Sequence, residues 1–271
     1  MYPVLTGSLQ VETVTISIPN LPPRLQGTKI VQLSDFHYEG WGLSEKLLDR
    51  AIAASNEAEP DLVLLTGDYI TKYPTRIHQL AAKLKYLQSR AGIYAIFGNH
   101  DLLSRPQIAD AFNTIGIKIL WNQIAYPLGS GLALVGMADF HSPEFNPQPL
   151  LAAIPPEIPR LVLSHNPDTA AEMQPYRIDL QLSGHTHGGQ IVIPTIGPLA
   201  KHLKSIRRCI PKPIRPWIPF VNECYKVVKH WEWSQGLHQV GNNLLYVNRG
   251  LGTYPPGRLF CTPEVTIFTL I

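Results

Sequence analysis

Residues 179–190 read DLQLSGHTHGGQ, an apolar run that ends in two histidines spaced one residue apart. A similar run with a polar end occurs in KIVQLSDFH at residues 29–37 and in DLVLLTGD at residues 61–68. Each run is rich in Val, Ile and Leu and too short for a helix, which is typical of strands buried on both faces of a sheet. The repeated pattern of a short apolar run with a polar end therefore predicts a sheet of buried strands that each end in polar residues.

Segments with helical patterns separate most of these runs. The spacing and composition predict helices over Leu43–Ala58, Thr75–Arg90 and Gln107–Ile115, and Asn166-Pro167-Asp168 is typical of a helix start. Alternating strands and helices indicate an α/β fold, in which ligands gather at the carboxyl ends of the strands. The five predicted strands are Lys29–Ser34, Asp61–Thr66, Gly92–Phe97, Leu161–Ser164 and Asp179–Ser183.

Further strands indicate a second sheet packed on the first. We expect Gly131–Ala138, Leu244–Asn248 and Glu264–Leu270 to belong to that second sheet. Weak alternation of apolar residues within 1–28 predicts an additional edge strand.

Length and composition are those of a folded globular protein. The 271 residues are 45% hydrophobic and 16% charged, and we expect residues 1–271 to form a single domain. The three cysteines form no CxxC pair, which favours a reducing compartment. No export signal and no run of about 18 apolar residues is recognisable. The expected location is the cytoplasm, or the inner face of the cell membrane as a peripheral protein.

The polar residues that close the five runs are of metal-binding types. Five of the ten histidines lie there, each within two residues of Asp, Asn or Gly. Imidazole nitrogen with carboxylate and amide oxygen suits Mn, Fe, Zn, Co or Ni rather than Ca, and one carboxylate can bridge two ions about 3.5–4 Å apart. Each motif alone is weak, but together they predict a metal site. The motifs are Asp35-Phe36-His37, Gly67-Asp68, Gly98-Asn99-His100-Asp101, Ser164-His165-Asn166 and Gly184-His185-Thr186-His187.

This ordered set of motifs resembles the calcineurin-like metallophosphoesterase superfamily over about residues 28–190, and the tail Tyr246–Leu270 matches it in outline. The longer motif at residues 184–190 is similar to that of a branch of bacterial phosphodiesterases. This branch includes membrane-associated enzymes and a type of UDP-2,3-diacylglucosamine pyrophosphatase. The resemblance implies a four-layer α/β/β/α sandwich of two mixed sheets flanked by helices, with two divalent ions, Mn first among them, at its rim.

The resemblance also implies a role for each matching residue. One ion is expected at Asp35, His37, Asp68 and His187, and the other at Asp68, Asn99, His165 and His185, with Asp68 as the bridge. His100 matches a histidine that contacts phosphate and protonates the leaving oxygen, with Asp101 orienting it. The nucleophile is expected to be a hydroxide that bridges the metals. The sequence is consistent with attack by such a hydroxide without a covalent intermediate, because it contains no Gly-x-Ser-x-Gly motif and no cysteine in a turn beside a histidine.

Residues 197–235 break the rhythm of strands and helices and are predicted to be a basic, aromatic, proline-rich insertion. Residues 201–229 carry eight basic side chains and one acidic one, a charge of +7, against +3 for the whole chain. Such a segment suits an anionic membrane surface, and it also fits a solvated loop. The phosphates of nucleic acid would attract the same charges, but that partner is less favoured. The charged residues are Lys201, Lys204, Arg207, Arg208, Lys212, Arg215, Lys226, Lys229 and Glu223, interleaved with Trp217, Phe220 and Tyr225.

The sequence therefore predicts a binuclear metal-dependent phosphodiesterase or pyrophosphatase. The expected substrate is a lipid-linked or nucleotide-containing phosphate ester at a membrane surface, and the resemblance makes UDP-2,3-diacylglucosamine the most specific candidate. A soluble phosphodiesterase of cyclic nucleotides or nucleic acid is the alternative. A non-catalytic scaffold is a third reading, although no expected ligand is missing. Asp139, His141, Arg249 and Gln190 are further polar candidates at strand ends, and the sequence gives no oligomeric state.

Overall fold

The computed structural model describes residues 6–40, 42–215, 227–255 and 257–271. Two six-stranded sheets pack face to face, and helices cover the outer face of each. The predicted four-layer α/β/β/α sandwich of two mixed sheets is confirmed. The helices are α1 (Glu45–Glu57), α2 (Ile77–Leu84), α3 (Arg105–Asn113), α4 (Pro147–Ala152), α5 (Thr169–Glu172) and α6 (Leu199–Cys209).

The first sheet has the strand order β1-β14-β2-β3-β4-β5. Strands β2 to β5 are parallel, β14 is antiparallel to β2, and β1 lies at the edge and pairs in parallel with β14. The strands are β1 (Gln10–Ile16), β2 (Lys29–Leu33), β3 (Leu62–Leu65), β4 (Ile93–Ala95), β5 (Lys118–Ile119) and β14 (Glu264–Leu270).

The second sheet has the strand order β12-β13-β9-β8-β7-β6. Its four inner strands are parallel, and β6 and β12 close the two edges as antiparallel strands. A separate hairpin is formed by β10 (Val192–Ile193) and β11 (Gly197–Pro198). The strands of the second sheet are β6 (Gln123–Ala125), β7 (Ala133–Gly136), β8 (Arg160–Leu163), β9 (Leu180–Ser183), β12 (Gly236–Val240) and β13 (Asn243–Val247).

The core has a layer between the sheets and further layers under the helices. Ile30 and Leu64 of the first sheet pack with Leu163 and Leu182 of the second. On the outer face of the first sheet, α1, α2 and α3 bury their apolar stripes, for example through Leu48 of α1. Apolar burial on both faces explains why these strands lack alternation of polar and apolar residues.

The prediction that the last strand belongs to the second sheet is wrong. Glu264–Leu270 lies in the first sheet between β1 and β2, not in the second sheet. Val265 faces the outer helices, whereas Phe268 faces the inter-sheet core. Because both faces of this strand are buried, its pattern of hydrophobicity does not tell which sheet it joins.

The described part of the segment 197–235 contains α6, and the inner face of this helix packs on residues 227–231. Ala200 and Leu203 of α6 form a small buried cluster with Val228 and Trp231. Residues 216–226, with Trp217, Phe220 and Tyr225, lie outside the described residues, so the interpretation of the whole segment as an insertion stays a prediction. None of the described helices combines the length and the apolar character that crossing a membrane requires.

Candidate active site

The predicted ligands converge because the parallel strands of both sheets end at one rim of the sandwich. Side chains tie the two sheets together at that rim. Gln32 Nε2 donates to the carbonyl of Ser183 at 2.9 Å, and the His185 N–H donates to Asp35 Oδ1 at 3.0 Å. These two contacts join the end of β2 to the end of β9, and a contact of 2.7 Å between His165 Nδ1 and Thr66 O joins the end of β8 to the end of β3.

The backbone at this rim adopts conformations that ordinary side chains rarely take. Five of the seven predicted ligands have positive φ angles of 43–72° although none is glycine, which costs energy and recurs where a site over-determines the geometry. These ligands are Asp35, His37, Asp68, His185 and His187.

Two glycines allow the close approach of backbone and carboxylates. A Cβ at Gly98 would overlap Asp68 Oδ1, and a Cβ at Gly184 would overlap Ser34 Oγ and Asp35 Oδ2. Glycine is therefore needed at both positions if the two aspartates are to keep their places.

The first group of metal-binding atoms comes from Asp35, His37 and His187, whose ligand atoms all lie within 4.8 Å of one another. His187 Nε2 is 3.4 Å from Asp35 Oδ1 and 3.1 Å from His37 Nε2. All three side chains are buried.

The second group comes from Asp68, His165 and His185, again within 4.8 Å. Asp68 Oδ2 lies 3.0 Å from His165 Nε2 and 3.6 Å from His37 Nε2 of the first group, so its carboxylate stands between the two groups. The buried Asn99 Oδ1 atom has no hydrogen-bond partner among the described residues. A buried carbonyl oxygen without a partner is unfavourable unless an ion or water binds it.

The outer nitrogen of each ring is held by a backbone carbonyl, which can only accept a hydrogen bond. His37 Nδ1 donates to Ile70 O at 3.1 Å, and His187 Nδ1 donates to Gly252 O at 3.2 Å. In the second group, His165 Nδ1 donates to Thr66 O at 2.7 Å and His185 Nε2 donates to Val227 O at 3.0 Å. These bonds fix the tautomers and aim the remaining nitrogen of each ring inward.

In the first group the inward nitrogens of two neutral rings, His37 Nε2 and His187 Nε2, face each other with lone pairs at 3.1 Å. In the second group His185 Nδ1 lies 3.3 Å from His165 Nε2. Facing lone pairs repel unless a cation or a proton lies between them. The donor set of imidazole, carboxylate and amide oxygen therefore fits two divalent transition-metal ions.

Burial keeps most of these rings in the neutral form that binds metals. It lowers the pKa of His37 and of His185 to about 3 and holds the pKa of His187 well below its usual range. His165 differs. Burial acts to lower its pKa, but neighbouring carboxylates, Asp68 above all, outweigh burial and raise it to about 10. In the metal-free protein this ring is held as a cation against Asp68.

His100 lies at the wall of the cavity above the two groups, with its ring held through Nδ1, which donates to Thr71 O at 2.7 Å. The expectation that Asp101 orients His100 is not met by a direct contact. The carboxylate of Asp101 instead accepts the backbone N–H groups of Asp68, Tyr69 and Gly98 at 2.8–3.0 Å. Asp101 lies in the same loop as Asn99, and its carboxylate also binds the loop of Asp68. It therefore holds these two loops together.

Two residues that the sequence did not single out also shape this rim. Tyr254 places its hydroxyl 2.8 Å from His37 Nδ1, and its ring packs against His37 and His187. The buried Arg258 donates to Gly252 O at 2.6 Å and so fixes the loop that supports His187. Neither residue closes an apolar run with a metal-binding motif, so no local signal marked them.

A cavity of about 650 Å³ connects the two ligand groups with an apolar wall. Asp68, Asn99 and His100 belong to the polar part of its lining. The apolar part comes from Leu199 and Leu203 of α6 and from Ile191, Val227 and Trp231. Predicted metal ligands and apolar side chains therefore line the same cavity.

Several known proteins are similar to this chain in sequence or in fold. The model of the calcineurin-like phosphoesterase family matches residues 28–189. Phosphodiesterase YaeI of Escherichia coli is 34% identical over 254 residues, which cover 90% of this chain and 82% of that protein. The UDP-2,3-diacylglucosamine pyrophosphatase LpxG of Chlamydia trachomatis is 26% identical over 314 residues, which cover 96% of this chain and 88% of that protein.

Among solved structures, the sulfate thiohydrolase SoxB of Thermus thermophilus superposes with a TM-score of 0.51 at 14% identity, over 92% of this chain and 57% of that one, a likeness of fold alone. The family match and the similarity to a phosphodiesterase confirm the predicted class of enzyme, a phosphoester hydrolase. The chain belongs to the calcineurin-like phosphoesterase family.

Proposed function

We propose that this protein is a binuclear-metal-dependent phosphodiesterase or pyrophosphatase that acts on a phosphate ester with a lipid-like apolar part. The observation that carries the proposal is the single cavity in which both ligand groups and the apolar wall meet.

We assign the metal ligands as the sequence predicted them: Asp35, His37, Asp68 and His187 for one ion, and Asp68, Asn99, His165 and His185 for the other. Two divalent ions bound there would activate water and neutralise the charge of the phosphoryl group, and manganese stays the predicted metal. The position of Asp68 Oδ2 near rings of both groups supports its role as the bridge.

We assign His100 as the residue that contacts the phosphoryl group and gives a proton to the leaving oxygen. Its ring lines the cavity, and the Nδ1–H bond to Thr71 leaves Nε2 as the nitrogen able to meet a substrate. Asp101 contributes by holding the Asp68 loop rather than by reaching the substrate.

The apolar wall supports a lipid-linked substrate over a small polar one. A ligand that binds across the cavity would place its phosphate at the metal ligands and an acyl-like portion against Leu199, Leu203 and Trp231. Such burial is favourable by about 25 cal/mol per Å² of apolar surface. LpxG, named as a UDP-2,3-diacylglucosamine pyrophosphatase, is similar over 96% of this chain, so this compound is the first substrate to test.

An anionic membrane is the proposed source of that substrate. On and after α6 the side chains of Lys201, Arg208 and Lys212 are exposed, and Ile206 and Ile214 are 37% and 50% exposed. Exposed cations beside exposed apolar side chains suit the interface of an anionic bilayer.

The experiment compares two substrates on a variant of the wall. Leu199→Ala should lower kcat/KM for UDP-2,3-diacylglucosamine by roughly 10-fold, because apolar contact is lost, and leave hydrolysis of bis(4-nitrophenyl) phosphate within about twofold. Leu103→Ala, at a side chain 95% exposed, is the matched control and should change neither. Equal effects of Leu199→Ala on both substrates would reject the apolar subsite and favour a nucleotide or another polar ester.

A further inference from the structure

The hydroxyl of Tyr254 lies between a predicted metal ligand and the predicted acid. It is 2.8 Å from His37 Nδ1 and 3.4 Å from His100 Nε2. Its ring packs against His37 with centroids 4.7 Å apart, and Tyr254 and His100 line the same cavity. Tyr254 therefore contacts the only nitrogen of His100 that faces the substrate space.

The direction of each hydrogen bond follows from the groups around it. The Tyr254 hydroxyl lies 2.8 Å from Nδ1 and 3.2 Å from Nε2 of His37, and it shares the Nδ1–H of that ring with the carbonyl of Ile70. In the form that gives a proton, His100 carries a hydrogen on Nε2 that the Tyr254 oxygen, 3.4 Å away, can accept, while its Nδ1–H is bound to Thr71 O. The hydroxyl of Tyr254 therefore contacts His37 and His100 at once.

Buried contacts hold Tyr254 in this place. Its backbone N–H donates to Gln190 Oε1 at 2.7 Å, and Gln190 is buried with a φ of 53°. Gln190 closes the motif that begins at Gly184, so the final residue of that motif contacts a loop 64 positions later. A buried residue with a strained backbone whose side chain binds the Tyr254 amide indicates that the fold holds Tyr254 in this position.

The opposite side of His100 is fixed in a comparable way. Glu39 Oε1 accepts the backbone N–H groups of Thr71, Lys72 and Tyr73 at 3.0, 2.6 and 3.2 Å. This carboxylate holds the loop whose Thr71 carbonyl binds His100 Nδ1. The imidazole ring is thus restrained at both nitrogens, one through Glu39 and the other through Tyr254.

We propose that Tyr254 is a positioning residue for His100, holding Nε2 toward the leaving oxygen of the substrate through its hydroxyl and linking His100 to the metal ligand His37. The inference rests on the proposed function for the role of His100 itself. Pre-organised orientation of an acid raises the rate of a step in which a proton is given, and matters little when the leaving group needs none.

Tyr254→Phe tests the proposal because it removes only the hydroxyl. With metal bound, kcat for an alkyl phosphodiester should fall by about 5–10-fold with KM within about twofold, and the loss should be smaller for a nitrophenyl ester. In the background of His100→Ala the same change should have no further effect. Tyr86→Phe, at a side chain 61% exposed, is the control and should match the wild type.

Multiplicative losses in the double variant, or loss of bound metal in Tyr254→Phe, would overturn the proposal, because Tyr254 would then act on the metal site or the fold. A readout independent of turnover keeps the two proposals apart. In protein labelled with ¹⁵N-histidine, the Nε2 resonance of His100 should shift in Tyr254→Phe and stay in Tyr86→Phe. An unmoved resonance rejects the positioning role, whereas a shift without diester hydrolysis by the metal-loaded wild type rejects only the proposed reaction.

Discussion

The Oδ1 atom of Asp68 accepts the backbone N–H of His100 at 2.9 Å. The other oxygen of the same carboxylate lies 3.0 Å from His165 Nε2. One side chain therefore connects the two groups of metal-binding residues with the residue proposed to protonate the leaving group. A change at Asp68 reaches the metal site and His100 together.

Replacement of Asp68 tests this connection. Asp68→Ala should reduce bound metal from about two ions per chain to less than one, since it removes the proposed bridge, and turnover should be lost with the metal. Elemental analysis of purified protein measures the number of metal ions bound per chain. Asp110→Ala, at an exposed carboxylate on α3, is the control. Full metal and full turnover in Asp68→Ala would show that the ligands are assigned wrongly.

Replacement of His100 separates proton donation from metal binding. His100→Ala should keep its metal and lose roughly 10²–10⁴-fold in turnover of substrates with poor leaving groups, and lose less for a nitrophenyl ester. Steady-state kinetics on both substrates and metal analysis of the same sample measure these effects. Equal losses on the two substrates would instead assign His100 to phosphate binding alone.

The pKa of His165 predicts how metal uptake depends on pH. Burial opposes the charged ring, but Asp68 and other carboxylates raise its pKa to about 10, so a proton must leave before Nε2 can bind an ion. His37 and His185, with pKa values of about 3, are already neutral above pH 4. Affinity for the ion at His165 should therefore rise by up to about tenfold per pH unit from pH 7 to 9.

Calorimetric titration in two buffers of different ionisation enthalpy checks the sign and the size of this effect. About one proton should be released per ion bound at that group. An affinity that does not change with pH in this range would mean that His165 is neutral in the metal-free protein.

Vesicle binding tests the proposed contact with an anionic membrane. The protein should sediment with vesicles that contain anionic lipid, and less of it should do so as salt rises. Changing Lys201, Arg207, Arg208 and Lys212 to Ser should release it, since each cation near the surface contributes about 1 kcal/mol. Hydrolysis of bis(4-nitrophenyl) phosphate should stay unchanged.

A set of four cations elsewhere is the control for net charge. Lys46, Arg50, Lys72 and Lys85 are exposed, and their change to Ser should leave vesicle binding largely intact. If both sets reduced binding equally, the attraction would come from overall charge rather than from α6. Unchanged vesicle binding in the α6 variant would reject the proposed contact of α6 with an anionic membrane.

The sequence predicted the architecture and the rim residues because both signals are local. A short apolar run followed at once by Asp, Asn or His marks a strand and its functional end within ten residues, as at Asp35 and His187. Helix ends were less accurate. The predicted helix Thr75–Arg90 is observed as Ile77–Leu84, since Leu87 continues the apolar spacing but is buried by a turn.

Other features depend on contacts between distant parts of the chain. Tyr254 reaches the site through Gln190, and the buried Arg258 supports the loop beneath His187. A tyrosine or arginine outside a motif carries no local pattern that distinguishes such a role from ordinary packing. Asp101 illustrates the same limit, because its motif position suggested a partner in His100 while its carboxylate binds backbone amides of the Asp68 loop.

Stepwise metal reconstitution tests the central claim most directly. Protein stripped with a chelator should hydrolyse no phosphodiester, and added Mn²⁺ should restore turnover up to a plateau at about two ions per chain, one for each group of ligands. A plateau at one ion, or hydrolysis by the stripped protein, would contradict a binuclear phosphoesterase.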